Sequence, residues 1–475
     1  MCHAGLFWSL DDAHGQRVLC LGSDPGAVIV ARPVATQLDN DYLRVLLGGS
    51  PADERTPYLG VHRVPPGGRT IVGREIVGPE RRVQEAWREP HLSGDQAVEA
   101  FREAFGRTVH RLAASAGPVS ASLSGGLDSS YLVARLAEID AGDPVVGFVS
   151  SPLATIAGNP SMHAIVDDLP DARTLASRYA GRVEVRAVRN GDRVQPLDAA
   201  AHSARSSWWP ALIVDNQVWI RDIGEHAIAR GSRFLFAGFH GNWSFSPYFP
   251  RANAPASPVW RRMARRTGAG RFRPRRQGTT QPSARGTAVD AVRLVGLGEA
   301  PKGPPQTSQA AGFSARLFHT GLPPAAVLSP AAFDNRLMIV DPYTAPDVLD
   351  VAAAITPETW GCEPWPRGFA RRVMEGAVPD QIRLRVGRGA QAPDSWLWIN
   401  DQRDRYLDEA AQVATTPVIG DHVDVAHLRR RIEGWAWGEP VGPPKPELGR
   451  VQAVLSLANF VRFTTKRLAE LPQSG

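Results

Sequence analysis

A chain of 475 residues exceeds what one hydrophobic core organises, so two domains are expected, and its 43% apolar content is enough to fold them without covalent staples. Cys2, Cys20 and Cys362 are too few and too scattered for a disulfide framework or a zinc site. No run is long and apolar enough to span a bilayer, and the N-terminus lacks a basic region followed by an apolar core, so a cytoplasmic enzyme is expected, with no membrane partner. The net charge of +6 rests almost wholly on arginine, since lysine occurs only as Lys302, Lys445 and Lys466.

Residues 1–90 read as a small β-rich unit. "LFWSLDDAHGQRVLCLGSD" forms two strands around a polar turn at Asp11–Gly15, and Val18, Leu19, Leu21, Val28, Ile29 and Val30 supply further strand material. "YLGVHRVPPGGRTIV" places a Pro-Pro-Gly-Gly turn between two apolar runs. From residue 91 onward the pattern changes. A helix is expected from Gly94 to about Ala114, then a buried strand through Val119 and Leu123. A strand at Val145–Val149, a helix near Pro170–Tyr179, a strand at Val183–Val188 and a helix over Val218–Arg230 follow. Strands alternating with helices imply an α/β fold, a parallel sheet with helices on both faces. After about residue 318 the pattern is mostly helical.

The stretch "SLSGGLDSSYLVARL" joins the first buried strand to a helix in which Tyr131, Leu132, Leu136 and Ile139 recur at helical spacing. Its glycines let a ligand approach the backbone, and its amides open a helix whose positive end favours an anion. The common nucleotide loop closes on the phosphates with a lysine, which is missing here. In its place stands Asp128, a carboxylate inside a phosphate-shaped nest. It requires a counter-ion, and Mg2+ bridging Asp128 to phosphate oxygens is the natural reading.

Ser124-Gly125-Gly126-Leu127-Asp128-Ser129 resembles the pyrophosphate-binding motif of N-type ATP pyrophosphatases, and within these the chain resembles the asparagine synthetase superfamily. That resemblance implies ATP and Mg2+ as cofactors, activation of a carboxylate as its acyl-adenylate, release of pyrophosphate, and attack by an amine to give an amide. Ser124, Gly125, Gly126, Asp128 and Ser129 would hold ATP and the leaving pyrophosphate. The turn in residues 1–90 is similar to one in the distal half of the family's glutaminase domain, which implies a truncated glutaminase-like unit. Cys2 is then not expected to be a glutamine-hydrolysing nucleophile, and the amine is expected from the substrate itself.

"FLFAGFHGNWSFS" repeats the logic of the first loop: a buried strand, then Gly238 and Gly241 around a tight polar turn. Asparagine synthetases carry GEGxDE at the comparable place. Here Phe239 stands at the glutamate and Asn242 at the aspartate, so Asn242 would offer the metal a neutral oxygen beside Asp128. Gly238 and Gly241 would line the nucleotide site. The form Gly241 to Ser246 resembles the branch that includes lasso-peptide macrolactam cyclases. His240 is suited to deprotonate an attacking ammonium, or else hydrogen-bonds the loop. "VDPYTAPDVLDVAAAITPE" and "RGFARRVMEGAVPDQIRLRVGRGAQAPDSW" resemble the family's C-terminal signatures, with Arg388 standing about where many members have a catalytic lysine. Among Arg383, Arg385 and Arg388, at least one is expected to function.

No acidic residue lies between Glu225 and Asp290, and within that interval "WRRMARRTGAGRFRPRR" carries eight arginines between 261 and 276. Nucleic-acid binding, a funnel for phosphates or an acidic peptide, and a solvated loop all fit this composition. The funnel is the reading adopted for its net effect, with nucleic acid the less favoured partner. The expected activity is an ATP-dependent amide ligase, best matched to a lasso-type macrolactam cyclase acting on a precursor peptide, with a leader-binding protein and a leader peptidase as companions. A small-molecule amide or β-lactam synthetase and a non-catalytic relative are the alternatives.

Overall fold

The computed structural model describes residues 5–48, 55–64, 69–72, 76–80, 90–139, 142–153, 164–189, 194–247, 333–361, 366–385, 387–438 and 445–471. Cys2, Cys362, the Pro-Pro-Gly-Gly turn and the arginine-rich stretch lie outside them. Among the described residues no helix is long and apolar enough to cross a membrane.

The chain opens with a hairpin, β1 (Phe7–Ala13) and β2 (Gln16–Gly22), paired antiparallel from Phe7↔Gly22 to Ala13↔Gln16. Its two-residue turn, His14-Gly15, has both φ angles positive, as a tight hairpin requires. Val28, Ile29 and Val30, expected as strand, lie instead in α1 (Pro25–Ala31). Asp24 caps that helix by accepting from the Ala27 amide, and Pro25 occupies its first turn. These start signals outweigh the β-branched content. A second helix, α2 (Asn40–Gly48), follows, then β3 (His62–Arg63), which pairs with β1. The run on the far side of the Pro-Pro-Gly-Gly segment joins a different sheet, β4 (Arg69–Val72) with β5 (Ile76–Glu80).

After α3 (Gly94–Ala113) come β6 (Ser120–Ser122), α4 (Leu127–Ala137), β7 (Val145–Ser151), β8 (Ala164–Ile165), α5 (Leu169–Arg178), β9 (Val183–Arg189), α6 (Pro196–Ser207), α7 (Val214–Ala229), β10 (Phe234–Phe236), α8 (Gly241–Ser244) and β11 (Met338–Val340). Five of these strands make a wholly parallel sheet in the order β11-β10-β6-β7-β9. Both faces are covered. Val145 and Val149 face one layer, with α3, α4 and α5, and Val146 and Phe148 face the other, with α7. That alternation within an unbroken apolar run is what a doubly covered strand requires. The pattern does not foretell the helices α2 and α6 or the short strand β8, and β11 supplies an edge strand in a stretch expected to be mostly helical.

The C-terminal part adds α9 (Pro346–Ala354), α10 (Gly368–Val373), β12 (Arg388–Gly389) and the long α11 (Lys445–Glu470), with shorter helices between. The N-terminal hairpin does not build its core alone. Phe7, Cys20, Val28 and Tyr42 pack in one cluster with Trp208 and Trp209, which follow α6, and with Val451, Leu455 and Phe460 of α11. Tyr58 closes the joint with a 2.9 Å hydrogen bond from its hydroxyl to the Trp208 carbonyl.

Candidate active site

Strand order reverses at β6. Its next strand in sequence, β7, lies on one side, and β10 lies on the other. Loops leaving adjacent strands at such a reversal diverge and open a crevice, the general ligand position of open α/β sheets. The loops after β6 and β10 are the two singled out by sequence, and they meet.

The first loop is cinched by its serines. Ser129 Oγ accepts from the Ser124 amide at 3.0 Å and lies 2.8 Å from Ser124 Oγ, and Ser124 Oγ accepts from the Gly126 amide at 3.1 Å. Gly126 caps α4 without a side-chain bond. Ser124 and Ser129 therefore shape the loop from within.

Asp128 sits in the first turn of α4, with the second loop lying against it. A Cβ on Gly241 would collide with the Asp128 carboxyl carbon, and one on Gly238 would lie 3.1 Å from the Asp128 carbonyl carbon. Close approach thus requires glycine at 241 and leaves only a tight fit for a side chain at 238. Burial pushes the Asp128 carboxyl up to about 6; a hydrogen bond from Ser246 and the charge of Arg367 pull it down, and Asp341 adds to the push. Ser246 Oγ donates to Oδ1 at 2.6 Å, and no described residue donates to Oδ2. Arg367 Nη1 reaches Ser246 Oγ at 3.4 Å, from a backbone held at φ 60°. Asn242 is exposed, its Oδ1 3.5 Å from the same Ser246 hydroxyl. The metal residues named from sequence, Asp128 and Asn242, therefore converge on one serine. A partly buried carboxylate with one open oxygen fits Mg2+, which takes one or two carboxylates and completes its shell with phosphates and water. No group of three or more His, Cys, Asp or Glu side chains suited to a metal occurs among the described residues.

His240, the residue before Gly241, is buried. Its ring Nδ1 and its backbone amide both lie 2.8 Å from Asp341 Oδ2. Asp341 is fully buried at the end of β11, and its other oxygen accepts the Tyr343 amide at 3.1 Å. A carboxylate only accepts, so this pairing places the proton on Nδ1 and makes Nε2 the basic nitrogen. Tyr343 continues the network, its hydroxyl donating to the Asp128 carbonyl at 2.8 Å. Beneath lies an aromatic floor, with Phe105 and Phe245 stacked about Tyr343 at centroid distances of 4.5 and 5.3 Å. Phe239 points away from this network and meets Trp219 edge-on at 5.8 Å.

Gly125 is covered from another direction. A Cβ there would lie 2.6 Å from Arg385 Nη1 and 2.8 Å from Asp168 Oδ1. Arg388 stands on β12, which pairs with β8 in a separate two-stranded sheet; its neighbour Gly389 lies against Asp168, while the Arg388 side chain lies outside the description. Asp168 and Asp171 carry no signal in the sequence, while Arg367, Tyr343, Asp341 and Ser246 lie in the quoted motifs but without their partners.

A parallel sheet whose switch point carries a glycine-rich loop and a partly buried carboxylate defines an α/β nucleotide-binding protein. Residues 100–439 match the family model described as asparagine synthase, and the chain belongs to that family, which uses ATP to form amide bonds. No curated protein matches it.

Proposed function

We propose that the enzyme adenylates a carboxylate of a peptide and couples it to an amine of the same peptide, a lasso-type macrolactam closure. The observation that carries the chemistry is the His240–Asp341 pair set one residue from the Gly241–Asp128 contact. In the first half-reaction a substrate carboxylate oxygen bonds to the α-phosphorus of ATP. The bond to the β-phosphate bridging oxygen breaks, and pyrophosphate leaves into the Ser124–Ser129 loop. Mg2+, when bound, supplies charge neutralisation at the phosphates; Asp128 would hold it, and Asn242 would add a neutral oxygen. In the second half-reaction the amine nitrogen bonds to the acyl carbon and AMP leaves. His240 Nε2 takes the amine proton, and Asp341 holds the ring and stabilises the imidazolium. Tethering both reacting groups on one substrate makes the second step unimolecular.

The peptide assignment is supported by the Gly241–Ser246 motif. A small-molecule amide ligase shares the same adenylation chemistry. ATP–pyrophosphate exchange distinguishes the two. Exchange stimulated by a peptide bearing a free N-terminus and an internal Asp or Glu, with loss of one water from the product mass, supports the cyclase. Exchange with free aspartate alone rules it out. His240→Ala should preserve exchange and slow amide formation by roughly a hundredfold, the usual worth of one general base. Equal loss of both would make the histidine structural.

A further inference from the structure

The arginines between residues 367 and 388 look alike in sequence, but their bonds separate them. Arg371 spends Nε and both Nη atoms on the carbonyls of Pro366, Arg383 and Arg385. Arg383 is committed to Asp380, Glu375 and the Arg371 carbonyl. These two knit the segment to itself. Arg385 differs. Only its Nη1 is used, shared between Asp171 and, at 3.4 Å, Asp168. Its Nε and Nη2 bond to no described residue, and its side chain keeps 16% exposure. That Nη1 lies against Gly125, in the middle of the first loop. The same Asp168 accepts the Gly125 amide. Two carboxylates at the start of α5 thus hold a guanidinium against the phosphate loop with most of its donors unspent.

We infer that Arg385 binds the pyrophosphate portion of ATP, with Asp168 and Asp171 as its positioning residues; this rests on reading the loop as a pyrophosphate site. A guanidinium is permanently charged and presents a planar fork that matches phosphate oxygens. The acidic pair fixes one corner of that fork and aims the rest. No lysine occurs between Lys302 and Lys445, so the loop draws its positive charge from arginine.

The test compares ligands that share the adenylate end but differ in the pyrophosphate end. Binding of ATP, pyrophosphate and AMP is measured by calorimetry with Mg2+ on wild type and Arg385→Gln. The expected result is a loss of tenfold or more for ATP and pyrophosphate, with AMP within about twofold, as befits one charge-assisted contact. Equal loss for all three, or loss for none, overturns the inference. Wild type that binds neither ATP nor pyrophosphate instead overturns the nucleotide reading beneath it. A second measurement needs no variant: phenylglyoxal labelling followed by peptide mass spectrometry. Arg385 should label in the free protein and be protected by magnesium pyrophosphate but not by AMP, while Arg383 should be indifferent to either ligand. Absence of labelling at Arg385, or labelling unaffected by pyrophosphate, overturns the assignment.

Discussion

Asp11, buried in the N-terminal hairpin, and Asp128, partly buried at the switch point, are carboxylates that the chain treats oppositely. Asp11 takes Arg32 on both oxygens, at 2.6 and 3.0 Å, and the Ser9 hydroxyl at 2.9 Å. Burial pushes its carboxyl up, but Arg32 and Ser9 outweigh that and hold it below its usual range. Asp128 has one hydroxyl and a distant arginine, and burial wins. The contrast separates charge that serves the fold from charge that serves a ligand. The first is neutralised by the chain itself. The second is left short of a partner within the chain, a cost that a bound cation would relieve.

The comparison is broken most severely at Asp128. Asp128→Ala should lower AMP and pyrophosphate formation by about a thousandfold or more, on the scale of losing a principal electrostatic group; formation of ADP and phosphate by the wild type would remove the premise. Asp11→Asn should leave catalysis alone but cost about 3 kcal/mol of stability in urea unfolding, because Arg32 then stays buried without its counter-charge. The two acids should also impose opposite pH dependences. The Asp128 folded pKa lies above its unfolded value, so its contribution is fully present below pH ~4 and lost as pH rises through about 6. Asp128→Asn should abolish that slope and, without Mg2+ and ATP, exceed wild-type stability near pH 7 by about 2 kcal/mol. Asp11, with its folded pKa depressed, contributes stability above its unfolded pKa and loses it as pH falls further; Asp11→Asn should flatten that acid limb in the same titration. Tyr343→Phe should have the smallest effect, about 1 kcal/mol for one hydrogen bond, read as a lower unfolding midpoint with the ring packing intact.

What could be read from sequence was local. The strand, loop and helix around Ser124–Ser129 follow from a short apolar run, two glycines and helical spacing, and the structure places them as expected. The α/β class followed from alternation of elements. The rest depended on distance along the chain. Asp341 meets His240 across 101 residues, and Asp168 meets Arg385 across 217. No periodicity encodes such pairs. The strand β11 is only three residues long, too short to show alternation, and is a strand because Leu235 and its neighbours in β10 offer it an edge. Val28 to Val30 failed for the opposite reason, since a two-residue capping signal decided against a plausible propensity.

Tyr343 bears a consequence for how this sequence is free to drift. Its ring sits in the aromatic floor, its amide answers to Asp341 and its hydroxyl answers to Asp128. Phenylalanine meets the first two demands and fails the third, histidine or threonine fails the first, and tryptophan overfills the space. Only tyrosine satisfies all three at once. The position is therefore a narrow gate in sequence space, and because the acceptor of the hydroxyl is the backbone carbonyl of residue 128, the demand for tyrosine outlasts any change of side chain there.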